Sequence, residues 1–122
     1  MKIKGIVEKG KREASILGFP TLNISLDISL AKSMPRGIFG GIFAGRVGLG
    51  KKEYFAAIFI PEDGRKLEAH LLDWAGEALG EEIEVTIGKK IRDAVPYESD
   101  RQMKALIKSD VEAVRRSVDE NG

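Results

Sequence analysis

Polar and apolar residues alternate through KIKGIVE (2–8), TLNISLDI (21–28) and EIEVTIGKKI (82–91). A period of two turns one face of a strand toward a core and the other away from it. In the second segment Leu22, Ile24, Leu26 and Ile28 share the core face, so Thr21 and Asn23 share the opposite one. GIFGGIFAGRVGLG (37–50) and EYFAAIFI (53–60) are apolar strand text, and Gly48, Gly50, Lys51 and Lys52 supply a hairpin turn between them. PEDGRK (61–66) has Pro, Asp and Gly in the order of a tight turn. LEAHLLDW (67–74) predicts another strand, with Leu67, Ala69 and Leu71 on one face and Glu68 and His70 on the other. Residues 9–20 run from charged to small to Gly-Phe-Pro and predict a loop. Pro20 fixes its own φ there and holds Phe19 extended.

The period changes in the last third. Met103, Leu106, Ile107, Val111, Val114 and Val118 form one helical apolar stripe, with Lys104, Lys108, Glu112 and Arg115 on the polar side. Ser99 followed by Gln102 is a capping-box pattern and sets the helix start. Strands separated by turn signals at roughly ten-residue spacing predict a sandwich or closed barrel. The expectation is mainly β: six antiparallel strands curled into a barrel, one amphipathic α-helix packed outside at the C-terminus, and a single domain over 1–122.

Composition narrows the function classes. Apolar residues make up 43% of the 122, enough for one core. Charged residues make up 32% but nearly cancel, to a net +1. That balance argues against a bulk electrostatic footprint for nucleic acid or membrane. There is no cysteine, which excludes disulfides and thiolate zinc sites. MKIKGIVEKG lacks the apolar stretch of a signal peptide, and no apolar run is long enough to span a bilayer. A soluble, cytoplasmic, monomeric domain is expected.

Thr21 and Asn23 would offer a hydroxyl and a carboxamide on one strand face, hard oxygen donors suited to Mg²⁺ and phosphate. The plainer alternative is a strand start at which both bond local backbone. Glu68 and His70 point a carboxylate and an imidazole the same way, as a general base would require, or they line a solvated face. His70 is the sole histidine, so neither a zinc cluster nor a serine–histidine triad is supported, and no P-loop motif occurs. KGKRE (9–13) could hold phosphate or be a solvated loop. In KKIRD (89–93), Arg92 ends an alternating strand ahead of Tyr97, and it suits an anionic or planar ligand as well as a surface ion pair.

The segments GIVEKGKREASILGFPTLNI, PRGIFGG, KLEAHLLDW, IEVTIGKKIRD and ESDRQMKALIKSD occur in an order that resembles the riboflavin kinase (flavokinase) family over nearly the whole chain. GFPTLN with EAHLLDW downstream carries the resemblance. It implies a Greek-key-like barrel that moves the γ-phosphate of ATP to the ribityl 5′-hydroxyl of riboflavin, with a divalent cation such as Mg²⁺, Zn²⁺ or Mn²⁺. It further implies that Thr21 and Asn23 hold metal and phosphate and that Glu68 accepts the hydroxyl proton. Gly10, Lys11, Arg12, Gly18, Pro20 and Thr21 would contact the nucleotide, and Arg92 would lie at a flap near the flavin. The chain departs from the family pattern in three places. KREASI replaces a glycine-rich stretch, FIPEDGRKLE is a shortened rim, and Leu79 stands where an aromatic is usual. A second expectation is therefore a catalytically weak or inactive flavin- or nucleotide-binding barrel of the same descent. FAD synthesis is not expected, because these residues leave no room for an adenylyltransferase domain. An adaptor for protein or RNA finds little support, with aromatics at only 7% and no basic patch interleaved with them.

Overall fold

A computed structural model describes residues 1–9 and 20–121. Six strands close into a barrel: β1 (Lys2–Glu8), β2 (Thr21–Ser25), β3 (Gly41–Leu49), β4 (Lys52–Ile60), β5 (Lys66–Leu71) and β6 (Glu82–Asp93). The order around the barrel is β1-β2-β5-β4-β3-β6, and every neighbouring pair is antiparallel. β3, β4 and β5 follow one another, and β2 returns to lie beside β5, which is Greek-key connectivity. Helix α1 (Ile28–Ser33) and a 3-10 turn (Arg36–Ile38) link β2 to β3, and helix α2 (Asp100–Asn121) follows β6.

The alternating positions fill the barrel. Ile3, Val7, Leu22, Ile24, Val47, Ile58, Leu67, Ala69, Ile83 and Val85 belong to one buried cluster. Closure brings β3 and β6 very close. A methyl group on Gly45 would stand 2.3 Å from the Thr86 carbonyl oxygen and 2.3 Å from Ile58 Cδ1. Only a residue without Cβ fits there. The β3–β6 ladder is irregular just before that point, between Ile42 and Gly45.

A second cluster sits outside the barrel. Ala44, Ala57 and Leu72 pack against Val114, with Val111 and Ile91 at its margin. Two alanines on the outer face leave room for α2 to lie close to β3 and β4. The helix starts where the capping pattern put it. Gln102 N–H donates to Ser99 Oγ at 3.1 Å, and the Gln102 side-chain oxygen accepts from Glu98 N–H at 2.9 Å. Further along, Arg115 bonds Asp73 through both terminal nitrogens, at 3.2 and 2.9 Å, and holds that carboxyl below its ordinary pKa.

Three strand boundaries differ from the sequence reading by three or more residues. The segment 21–28 does not continue as a strand: β2 ends at Ser25, and the backbone is helical from Ile28. Asp27 Oδ1 accepts from Leu30 N–H at 2.6 Å, so a helix cap interrupts the alternation. The stretch from 37 begins as the 3-10 turn, and β3 starts only at Gly41. β5 ends at Leu71 rather than Trp74. Leu71 and Leu72 are both buried, one in each cluster, and Asp73 turns the chain with a φ of 57°. The turn read over 61–66 forms over 61–65, with Lys66 already in β5: Gly64 adopts a φ of 65° and donates to the Pro61 carbonyl at 3.1 Å.

Candidate active site

Strand register sets one row of directly opposed residues across the outer face of the barrel. Arg92 on β6 faces Ile42 on β3, and Ile42 faces Phe59 on β4. Phe59 then faces Glu68 on β5, Glu68 faces Asn23 on β2, and Asn23 faces Glu8 on β1. Directly opposed residues in an antiparallel pair have their Cβ atoms about 5 Å apart. The row therefore runs from a guanidinium, past two apolar side chains, to a carboxylate and then a carboxamide. The adjacent pair on the same face sets Thr21 opposite His70. Two distant segments thus place Thr21, Asn23, Glu68 and His70 together, because β2 pairs with β5.

Each member of the group has a distinct environment. Glu68 retains 16% of its side-chain exposure, and its Oε1 lies 3.9 Å from Lys66 Nζ. Asn23 is buried, and its Oδ1 has no hydrogen-bond partner among the described residues. An unsatisfied buried oxygen costs roughly 1–3 kcal/mol, so its retention points to a partner that arrives with a ligand. Thr21 Oγ1 and His70 Nδ1 are 3.0 Å apart. Burial lowers the His70 pKa to about 4, against a smaller upward pull from the Asp110 charge, so the ring is neutral near pH 7.

Beside the row lies a cavity of ≈ 480 Å³. Its barrel wall is Ile42, Phe59, Lys66, Glu68, His70 and Arg92. Ala94, Val95 and Tyr97 form one side, and Met103, Leu106 and Ile107 of α2 close the other. The size and the mostly apolar lining with a few polar groups suit a planar organic ligand. Arg92 Nε and one terminal nitrogen each donate to Asp110 at 2.8 Å, and the other terminal nitrogen donates to the Asp93 carbonyl at 3.0 Å. Arg92, expected at a flap near the flavin, lines the cavity as one half of a bidentate pair that ties β6 to α2. The sequence reading passed over Asp110, although a carboxylate between Ile107 and Val114 on the apolar stripe, buried at 3% exposure, was a legible signal. It also passed over the apolar wall of Ile42 and Phe59. Tyr97, at the cavity mouth, hydrogen-bonds Asp100.

Pro20 lies next to Thr21, and its carbonyl accepts from Leu71 N–H at 3.2 Å. Gly10, Lys11, Arg12 and Gly18, expected to contact a nucleotide, lie outside the described residues. Among the described residues no three His, Cys, Asp or Glu side chains gather as a metal cluster. No helix among them is long and apolar enough to cross a membrane. A cation here would rely on neutral oxygens, and the unpartnered Asn23 Oδ1 beside Thr21 fits a hard ion that keeps phosphate and water ligands.

The chain is 31% identical to the bifunctional riboflavin kinase/FMN adenylyltransferase of Buchnera aphidicola, over 93% of this chain and 38% of that protein. It is 29% identical to the RNA-binding riboflavin kinase RibR of Bacillus subtilis, over 93% of this chain and 50% of that one. The chain spans half or less of the length of these curated relatives. The crystal structure of riboflavin kinase from Trypanosoma brucei shares the fold, with a TM-score of 0.74 at 22% identity, covering 97% of this chain and 76% of that one. The flavokinase family model, described as riboflavin kinase, matches residues 1–118, and the chain belongs to the riboflavin kinase family.

Proposed function

We propose that this chain transfers the γ-phosphate of ATP to the ribityl 5′-hydroxyl of riboflavin, giving FMN and ADP. The observation that carries the reading is the register row in which Glu68 stands between Phe59 and Asn23. A ring system held against Ile42, Phe59 and Met103 would direct its sugar-alcohol tail along the row toward Glu68. Glu68 accepts the hydroxyl proton as the phosphoryl group moves, so the alcohol attacks without carrying a positive charge. Phosphoryl transfer asks mainly for alignment and charge stabilisation, which a fixed barrel face provides. Thr21 and Asn23 would hold Mg²⁺, which when bound neutralises phosphate oxygens. Arg92 keeps further N–H donors for the flavin rim beyond those given to Asp110.

Incubation with riboflavin, ATP and Mg²⁺, followed by chromatography, tests the reading. FMN accumulates in proportion to protein, and the rate falls when Mg²⁺ is chelated. Absence of FMN under these conditions overturns the kinase reading. The second reading, a barrel that binds flavin with weak or no transfer, is favoured by the glycine-free KREASI. Riboflavin fluorescence quenched on binding, without FMN, would select it.

A further inference from the structure

His70 has no part in the transfer just described, yet it is buried and occupies the boundary between two halves of the site. Its ring lines the cavity with Glu68 and Arg92, and its Nδ1 lies 3.0 Å from Thr21 Oγ1. Two tautomers satisfy that contact. In one, Nδ1 accepts the threonine hydroxyl proton; in the other, Nδ1–H donates into a hydroxyl lone pair. The neighbouring Asn23 distinguishes them. Its Oδ1 is an acceptor without a donor among the described residues, and a bound cation would supply the missing partner. A hydroxyl serves a cation through its lone pairs, which requires its proton to point elsewhere.

We propose that His70 is a positioning residue whose Nδ1 takes the Thr21 hydroxyl proton, so that Thr21 Oγ1 presents lone pairs beside Asn23 Oδ1 to a Mg²⁺-bound nucleotide diphosphate. The proposal rests on the kinase reading for the identity of the ligand, but it concerns the hydrogen bond and not the transfer. His70 touches neither the phosphate nor the reacting hydroxyl. It acts through Thr21.

Calorimetric titration with ADP, with and without Mg²⁺, tests the proposal without turnover. The wild-type protein binds ADP more tightly when Mg²⁺ is present. His70→Phe keeps a ring in the wall and removes the acceptor, and it loses about tenfold of that Mg²⁺-dependent gain, the equivalent of one hydrogen bond. His70→Asn, whose amide oxygen reaches the position of Nδ1, restores the gain to within threefold. An unchanged Mg²⁺-dependent gain in His70→Phe overturns the proposal, as does a wild-type protein with no such gain. Nitrogen NMR of the wild-type imidazole at neutral pH gives a check independent of whether the variants fold. A bare Nδ1 with a protonated Nε2 is expected, and a protonated Nδ1 overturns the assignment. Failure of the kinase reading appears separately, as ADP binding that retains these features in a protein that makes no FMN.

Discussion

If Glu68 is the proton acceptor of the proposed transfer, replacing it by glutamine removes that acceptor and keeps the shape. Turnover in Glu68→Gln is expected to fall by about 100-fold or more, with riboflavin affinity within a few-fold, in steady-state assays paired with fluorescence binding. Equal turnover in wild type and variant would remove Glu68 from the chemistry. His70 makes a prediction about stability. Its pKa lies near 4 in the folded protein and at 6.5 when unfolded, so the unfolded chain binds the extra proton between those values. The contribution is present above pH 6.5 and is lost as the pH falls toward 4, by roughly 3 kcal/mol if His70 acts alone. Urea unfolding at pH 7 and pH 4.5 should show a smaller loss for His70→Asn than for wild type. Alternation alone set Thr21 with Asn23 and Glu68 with His70. It could not show that the two pairs meet, because the choice of β5 as the neighbour of β2 is a long-range pairing with no local signature. The unpartnered Asn23 oxygen was equally invisible, since it is a property of everything around it.

Among the elements, α2 depends on a buried ion pair as well as on its apolar stripe. Removing one partner leaves the other charge uncompensated, whereas replacing both with apolar residues of similar size does not. Asp110→Ala is therefore expected to cost about 3 kcal/mol, and most of that should return in the Arg92→Met, Asp110→Leu double variant, as read by urea unfolding. A double variant no more stable than Asp110→Ala would contradict the pairing argument. Riboflavin binding reports separately, because the double variant lacks the guanidinium at the cavity wall. The helix was legible from its period and its Ser99 cap, both of which are local. The length of β2 was misread because Leu26, at 6% exposure, stays in the core beyond the end of the strand, while Asp27 caps α1. A buried residue at the expected spacing extends the pattern without extending the strand. The end of β5 was misread for a related reason: Leu71 and Leu72 face different cores, so two adjacent apolar residues look like a continuing strand.

The molecule as a whole is a sheet closed on itself, which the turn spacing anticipated without fixing the strand order. Closure removes free edges but does not make every seam equally strong. Among the described residues, β1 and β2 are joined by two register pairs, Val7 with Ile24 and Glu8 with Asn23, whereas β3 and β4 share nine. A cylinder stitched this unevenly breathes where its stitching is thinnest. Native-state amide exchange should be faster along Glu8 and Asn23 than along the centres of β3 and β4, and uniform protection around the barrel would refute this. The thinnest seam borders the carboxamide end of the row, while the guanidinium end is clamped by α2. One end of the row is thus anchored while the other is joined by fewer described pairs, so under the proposed function thermal motion would loosen the grip on phosphates before it loosens the grip on the aromatic ring.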